Sequence, residues 1–200
     1  MVQIGITGSI ASGKSTIAKI FACLGIPVHD SDLTVKELMN QNKKVLKNIK
    51  KNWPEAFSKE KKVDKEKLRN IIFSNDKERL KLEKILHPMV QEKQIDFKKK
   101  NSKRKMLAFD IPLLYETKQE KDFDYIFLAN CSYETQIKRA MKRKNLDFKM
   151  FNKINSSQLS FKEKMYYNPI IINTEHPKLL VFLNIFLKLI IIRFREIKND

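Results

Sequence analysis

The feature that most constrains this chain is a glycine-containing loop close to its first residue. Residues 8–16 read Gly-Ser-Ile-Ala-Ser-Gly-Lys-Ser-Thr and satisfy the phosphate-binding pattern G-x-x-x-x-G-K-[ST] at every specified position. Residues 2–7 before the loop are apolar and β-branched, which predicts a buried strand, and residues 16–24 after it have apolar side chains at helical spacing. A strand, a loop and a helix in this order point backbone N–H groups at a polyphosphate. The sequence therefore predicts that the protein binds a nucleoside triphosphate.

The residues of this loop have distinct predicted tasks. The Lys14 ammonium would reach the β- and γ-phosphates of ATP, and the Ser15 hydroxyl would bind Mg²⁺. Gly25, just after the helix, is predicted to end it as a C-cap residue. The full set of predicted nucleotide-contacting residues is Gly8, Ala11, Ser12, Gly13, Lys14, Ser15 and Thr16.

Carboxylates follow two further predicted strands. A short strand at residues 26–29 leads into Asp30 and Asp32, and a strand at residues 106–110 ends in Asp110. Open α/β sheets bind ligands at the carboxyl ends of their strands, so we predict that Asp110 is a Walker-B acid that serves Mg²⁺. Asp32 fits either a ligand site or the N-cap of the next helix, and spacing alone does not choose between them.

The remaining stretches predict helices around a sheet. Residues from 45 to about 105 are rich in Lys and Glu, have helical periodicity and contain no convincing strand, which predicts a helical insert that faces the substrate. Within it, His87 stands beside Pro88 at a predicted interruption of a helix, as either a functional or a local hydrogen-bonding residue. Two more strands are predicted at residues 124–129 and 170–173.

A basic helical segment lies between the fourth and fifth predicted strands. Arg139 and Arg143 are four residues apart and are predicted to share one helix face. Two guanidinium groups near a triphosphate suggest a lid that neutralises the transferring phosphoryl group, and an RNA-contacting or solvated helix is the alternative. The apolar residues 179–194 fall short of the ~20 needed to cross a bilayer, so we predict a helix that covers the sheet.

Composition limits the partners that we expect. The formal net charge is +18, but the lysines are spread along the chain and lack interleaved aromatic residues, so we expect solvated faces and no specific nucleic-acid site. Cys23 and Cys131 are predicted to be small core residues of a reduced compartment. No signal peptide is evident before the first strand. We expect a cytoplasmic monomer that at most self-associates weakly and has no membrane partner.

Several of these stretches together resemble the dephospho-CoA kinase family. The resemblance covers nearly the whole chain and includes a His-Pro pair and a Pro-Leu-Leu-aromatic-Glu run, which distinguish this family from other small P-loop kinases. The matching stretches are the phosphate loop, residues 30–32, residues 86–90, residues 110–116, Gln136 with Arg139 and Arg143, and residues 158–173.

The resemblance implies an α/β fold, the three-layer P-loop kinase fold, over residues 1–200. Its parts would be a five-stranded parallel sheet, a helical substrate-binding insert at residues 33–104 and a helical lid at residues 134–165. The implied reaction is ATP-dependent phosphorylation of the ribose 3′-hydroxyl of dephospho-CoA, which yields CoA and ADP. ATP, Mg²⁺ and dephospho-CoA are therefore the expected ligands.

The resemblance also implies roles for single residues. Asp32 would accept the proton of the attacking hydroxyl, and the other catalytic residues would be Lys14, Arg139 and Arg143. The substrate-binding residues would be Asp32, His87, Pro112 and Leu113, and the metal ligands Ser15 and Asp110.

The chain departs from the family pattern at a few positions. Ser9 and Ala11 stand where the family usually has glycine, Lys153 where arginine is common, and Asn168 where an acid is usual.

Two other functions share the phosphate loop. A nucleoside or nucleotide kinase has the same fold, and a nucleotide-dependent switch or nucleic-acid-binding P-loop protein has the same motif. A guanine-specific switch would need an Asn-Lys-x-Asp stretch after a strand, and the sequence contains none.

Overall fold

The strand that precedes the phosphate loop lies at the centre of a five-stranded sheet. In the computed structural model, which describes residues 1–57, 63–144 and 146–199, β1 (Val2–Gly8) pairs in parallel with β3 (Met106–Asp110) and with β4 (Tyr125–Asn130). The strand order is β2-β3-β1-β4-β5, with β2 (Val28–Asp30) and β5 (Ile170–Asn173) at the edges. This arrangement confirms the predicted α/β fold with a five-stranded parallel sheet.

Nine helices accompany the sheet within the described ranges, together with short 3₁₀ turns at Pro54–Ala56 and Glu120–Asp122. The α-helices are α1 (Lys14–Cys23), α2 (Ser31–Gln41), α3 (Lys43–Asn52), α4 (Lys65–Ser74), α5 (Asp76–Lys100), α6 (Tyr133–Met141), α7 (Phe148–Ser156), α8 (Phe161–Met165) and α9 (Lys178–Asn199). The chain divides into two units: an α/β unit of residues 1–29 and 101–200, and a helical unit of residues 30–100.

The core of the α/β unit is formed by apolar side chains between the sheet and two helices. Ile4 and Ile6 on β1 are fully buried, and Phe21 of α1 meets Phe127 of β4 edge-to-face with ring centroids 5.0 Å apart. One side of α9 joins this core through Val181, Ile185, Leu189 and Ile192. The prediction that the last helix covers the sheet is therefore confirmed.

The predicted length of α9 is wrong, since the helix has 22 residues and begins and ends outside residues 179–194. The helix extends past residue 194 into a charged stretch. Arg195 can stay exposed there while Ile192 packs inward. Among the described residues, no helix is both long and apolar enough to cross a membrane.

The helical unit has its own apolar cluster. Trp53 is nearly fully buried against Ile49 and Leu68, and its indole N–H donates to Glu78 Oε2 at 2.7 Å. Helix α5 contributes Leu82 and Leu86 to this cluster.

The predicted interruption of a helix at His87 and Pro88 is wrong. Helix α5 runs without a break through Pro88. A proline in a helix interior costs ~3 kcal/mol, but Leu86 before it and Met89 after it both pack in the apolar cluster, which holds the two halves in line.

The prediction that both cysteines are core residues is correct for one of them. Cys131 is buried, which raises the pKa of its thiol, whereas Cys23 at the end of α1 is exposed. Cys23 lies on the outer side of the last turn of α1, whereas Phe21 of the same turn points into the core. Both thiols are free.

Candidate active site

The phosphate loop connects the end of β1 to the start of α1, and its two required glycines are in close contact with neighbouring residues. A Cβ atom on Gly8 would lie 2.4 Å from Ser12 Oγ, and one on Gly13 would lie 2.6 Å from Thr174 Oγ1. Gly13 also has φ +98°, a backbone conformation that side chains disfavour. Among the residues that the structure describes, no side chain caps α1, so the N–H groups of its first turn have no side-chain cap as an acceptor.

Opposite charges meet at the end of this loop. Lys14, the first residue of α1, forms an ion pair with Asp110, the last residue of β3. Asp110 is buried and pairs in register with Ile6 of β1, so the sheet itself brings the predicted Walker-B acid beside the loop. Ser15, in the same turn as Lys14, is exposed.

The donors in this loop fit phosphate groups. Ser12 Oγ is buried and has no hydrogen-bond partner within the described parts of the chain. A buried hydroxyl, a lysine ammonium and an uncapped helix N-terminus are groups that phosphate oxygens accept from. The Ser15 hydroxyl and the Asp110 carboxylate are oxygen ligands of the kind that Mg²⁺ prefers. No group of three His, Cys, Asp or Glu side chains that could hold a metal occurs among the described residues.

The segment between β5 and α9 supports the loop from one side. Thr174 Oγ1 donates to the Ser12 carbonyl oxygen at 2.6 Å, and the Thr174 amide donates to Asn130 O at 2.9 Å. The Arg139 guanidinium donates to both Thr174 Oγ1 (2.9 Å) and Thr174 O (2.7 Å). Arg139 therefore fixes the position of Thr174, and Thr174 in turn contacts the phosphate loop at Ser12.

The chain around α8 supports the loop from another side. The Gln158 side-chain oxygen accepts from the Ile10 amide at 2.8 Å. The Lys164 ammonium is fully buried, lies 3.2 Å from Glu116 Oε1 and donates to Ser9 Oγ at 3.4 Å. Glu116 Oε1 also accepts from the Leu159 amide at 2.8 Å. Because a buried ammonium needs compensation, this ion pair ties α8 to the loop after β3.

Sequence reasoning assigned no role to Gln158, Glu116, Lys164 or Thr174. Gln158, Glu116 and Lys164 lie in stretches that carry the family resemblance, so that signal could have pointed to these positions. Lys164 is one lysine in a lysine-rich chain, and its burial could not be read from the sequence.

The two arginines of the predicted lid do not share a helix face. Helix α6 ends at Met141, and Arg143 lies past its C-cap residue Lys142, so this prediction is wrong. The chain turns there, and the Arg143 amide donates to Ala140 O at 2.9 Å. Arg139 contacts Thr174, whereas Arg143 is exposed.

Two predicted acceptor-side residues, Asp32 and His87, lie in the helical unit. Asp30, not Asp32, caps α2, because Asp30 Oδ1 accepts from the Leu33 amide at 2.8 Å. The alternative of Asp32 as the N-cap is therefore wrong: Asp32 is the second residue of α2, and it is exposed. His87 is exposed on α5.

The run after β3 is largely buried. The Pro112 carbonyl oxygen accepts from Thr7 Oγ1 at 3.3 Å, and Pro112 and Leu113 are half-buried. Tyr115 stacks on Tyr167 with ring centroids 4.6 Å apart. Burial, and secondarily the negative charge of Glu120, raises the pKa of the Tyr115 phenol well above its usual range, so it stays protonated.

The fold and this loop define the class of the protein. A parallel sheet with the order β2-β3-β1-β4-β5, a glycine loop between β1 and α1, and an acid at the tip of the neighbouring strand together make a P-loop kinase. The family model for dephospho-CoA kinase matches residues 2–177. The chain therefore belongs to the dephospho-CoA kinase family.

Two relatives agree with that assignment, and a solved structure shares the fold. The chain is 41% identical to the dephospho-CoA kinase of Bartonella henselae over 177 residues, which are 87% of this chain and 89% of that protein. It is 39% identical to that of Rickettsia bellii over 165 residues, 82% and 84% of the two chains. The crystal structure of TT1252 from Thermus thermophilus superposes with a TM-score of 0.82 at 27% identity and covers 96% of this chain and 97% of its own.

The structure explains what two of the departures from the family pattern do. Ala11 has φ +58°, in the left-handed region that glycine adopts most easily, and its methyl group packs in a small cluster with Ala140 and Phe151. Asn168 has φ +48°, a conformation that asparagine tolerates better than most residues.

Proposed function

We propose that this chain transfers the γ-phosphoryl group of ATP to the ribose 3′-hydroxyl of dephospho-CoA, giving CoA and ADP. The observation that carries the proposal is the family match over residues 2–177, which spans the phosphate loop, Asp110 and the loop-supporting residues described above. In this reaction the 3′-oxygen forms a bond to the γ-phosphorus, the bond from that phosphorus to the β–γ bridging oxygen breaks, and the hydroxyl proton passes to a base.

The α/β unit supplies the ATP side of the proposed reaction. The loop amides from Gly8 to Thr16, with Ala11, Ser12 and Gly13, cradle the phosphates, and Lys14 exchanges Asp110 for the β- and γ-phosphates. Ser15 and Asp110 would hold Mg²⁺, which when bound neutralises phosphate charge. Phosphoryl transfer depends mainly on positioning and on charge neutralisation, and both are supported by a loop that neighbouring side chains hold in place.

The acceptor side is assigned to other residues. Asp32 accepts the hydroxyl proton. Its carboxylate is exposed and does not cap α2, which supports that role. His87, Pro112 and Leu113 contact dephospho-CoA, with residues 33–104 as the substrate-binding insert. Residues 134–165 act as the lid, in which Arg143 adds positive charge to the transferring group and Arg139 acts on the phosphate loop through Thr174.

An acceptor screen tests the proposal. The purified chain with ATP and Mg²⁺ is supplied with dephospho-CoA, with nucleosides and nucleoside monophosphates, or with RNA, and ADP release is measured. Of these acceptors, we expect only dephospho-CoA to give turnover, and its product should elute with authentic CoA. The 3′-deoxy analogue of dephospho-CoA, which lacks the attacking hydroxyl, should give none. Preferred turnover of a nucleoside, or ATP hydrolysis stimulated only by RNA, would replace the proposal with one of the two other functions considered above.

A further inference from the structure

The most apolar exposed surface among the described residues belongs to α9. Eight of the eighteen large hydrophobic residues that are exposed in the described chain lie on this helix. We call them the outer face of α9: Leu179, Leu180, Leu183, Phe186, Leu187, Ile191, Phe194 and Ile197. Their exposed fractions run from 41% for Phe186 to 68% for Leu179. Large contiguous apolar patches are uncommon on protein surfaces, and where they occur they mark sites of interaction.

The outer face lies opposite the side of α9 that packs on the sheet. Val181, Ile185, Leu189 and Ile192 are buried, and at 3.6 residues per turn they project about half a turn away from Leu187 and Phe194. The helix is therefore apolar on two sides, and the sheet covers one of them. The face extends for about 27 Å along the helix.

The kinase reaction does not account for this surface. The family match ends at residue 177, just before α9 begins at Lys178. None of the loop-supporting residues and none of the predicted catalytic residues belongs to the outer face.

The charges beside the outer face are nearly all positive. Helix α9 has five basic residues and one acid, Glu196, whose Oε1 accepts from the Tyr125 hydroxyl at 3.0 Å. Arg193 lies on one flank of the face, and Lys188 and Arg195 lie on the other. Lys178 and Lys198 stand at the two ends of the helix.

These charges argue against a second copy of the chain as the partner. Leu180, Leu183, Leu187, Ile190, Phe194 and Ile197 follow an a/d heptad spacing. In a helix pair with that seam, the flanking positions within α9 as far as Asn199 would hold Arg193 and Lys198 but no acid, so two copies would meet there with like charges. The formal net charge of +18 adds repulsion between whole chains.

We propose that the outer face of α9 binds the surface of an anionic phospholipid bilayer. An apolar helix face flanked by Lys and Arg is the arrangement by which helices lie in the headgroup region without spanning the membrane. The apolar side chains enter the boundary between headgroups and acyl chains, and the flanking arginines contact phosphate groups. This proposal differs from the expectation from the sequence that the protein has no membrane partner.

Vesicle sedimentation with the full chain tests the proposal. We expect binding to vesicles of phosphatidylcholine mixed with phosphatidylglycerol, and much weaker binding to phosphatidylcholine alone. A basic residue near such a surface contributes about fivefold in affinity, so replacing Arg193, Arg195 and Lys198 with Gln should weaken binding on the order of 100-fold. The matched control replaces the exposed Lys47, Lys50 and Lys51 of α3 with Gln, which removes the same net charge and should change binding only a few-fold.

The apolar part of the face has its own test. The double variant Leu187→Gln and Phe194→Gln should weaken vesicle binding by roughly tenfold or more, because both side chains lose their transfer into the bilayer. Its control is Leu80→Gln with Ile95→Gln, two residues of α5 that are each 51% exposed. Phe194→Trp should show a blue shift of its fluorescence on binding, against a constant contribution from the buried Trp53. Thermal unfolding and kinase turnover verify that each variant is folded.

Three results would overturn the proposal. One is absence of binding to anionic vesicles. A second is equal loss of binding in the α3 and α9 charge variants, which would assign the effect to diffuse positive charge. The third is a dimer in sedimentation velocity that the Leu187→Gln, Phe194→Gln variant dissociates, because the outer face would then join two copies.

Discussion

The two units of this molecule hold their proposed site residues in opposite ways. In the α/β unit, the phosphate loop is tied down by side chains from distant parts of the chain: Thr174 contacts Ser12, Gln158 contacts Ile10, and Lys164 contacts Ser9. In the helical unit, Asp32 and His87 are exposed on helices whose packing depends on the apolar cluster around Trp53. We therefore propose that the ATP side is preorganised, and that the proposed acceptor residues Asp32 and His87 gain their constraints from the substrate.

The largest expected effect comes from the loop lysine. Lys14→Ala should lower turnover on dephospho-CoA by at least ~10³-fold, because it removes the cation at the β- and γ-phosphates. It also leaves Asp110 buried without that partner, so we expect a loss of unfolding free energy of up to ~3 kcal/mol. Turnover is measured well below the midpoint of thermal unfolding, and the exposed Lys19→Ala on the same helix is the control. Near-normal turnover in the folded variant would contradict the nucleotide-site assignment.

The second-largest expected effect comes from Lys164, whose buried ammonium supports the phosphate loop. Lys164→Met leaves Glu116 without its ammonium partner, so the free energy of unfolding in urea should fall by about 3 kcal/mol. The double variant Lys164→Met with Glu116→Gln should recover part of this loss, because no unpaired charge remains. Lys162→Met, at an exposed position of the same helix, should have little effect. Equal stability of the Lys164 and Lys162 variants would show that the buried pair does not support the loop.

Variants of Asp32 test the proposed acceptor side, and variants of the nearby Asp30 serve as the control. Asp32→Asn should lower turnover on dephospho-CoA by at least ~10²-fold and leave ATP binding and stability nearly unchanged, since only the proton acceptor is lost. Asp30→Asn should stay active, because Asn caps helices about as well as Asp. Asp30→Ala should lose ~1 kcal/mol of stability. An active Asp32→Asn enzyme would exclude Asp32 as the base.

The smallest effect concerns the alanine in the phosphate loop. Ala11→Gly relieves a left-handed alanine, a strain of about 1–2 kcal/mol. It also removes a buried methyl group worth ~0.8 kcal/mol and frees the unfolded chain by about 0.5–1 kcal/mol. The relief of strain and the two losses nearly cancel, so the free energy of unfolding should change by less than ~1 kcal/mol. Ala18→Gly, in the middle of α1, should cost ~1 kcal/mol by comparison. A stabilisation of several kcal/mol in Ala11→Gly would show that the strain had been underestimated.

Local patterns were enough to predict most of the α/β unit. The bounds of β3 and β5 agree with residues 106–110 and 170–173, since buried parallel strands are short apolar runs ended by polar residues. The loop and its strand and helix were evident because G-x-x-x-x-G-K-[ST] combines with both flanks. Pairing of Lys14 with Asp110 also follows once the sheet brings β1 beside β3.

Errors arose where packing competes with local preference. Pro88 predicts a break, yet α5 continues because apolar contacts on both sides outweigh the lost hydrogen bond. Asp30 and Asp32 both favour a helix start, and only the backbone geometry at Asp30 decided which one caps. Arg139 and Arg143 suit one helix face, but α6 ends between them.

The sequence by itself determined the phosphate loop, the parallel α/β fold and the family, because each can be recognised from short stretches of the chain and their order. Tertiary structure alone decided which side chains support that loop: Thr174 is 162 residues from Ser12, and Lys164 is 155 residues from Ser9. It also decided which side of α9 is covered by the sheet. The two apolar sides of that helix are alike in composition, and only the position of the sheet buries Ile185 and leaves Phe194 exposed.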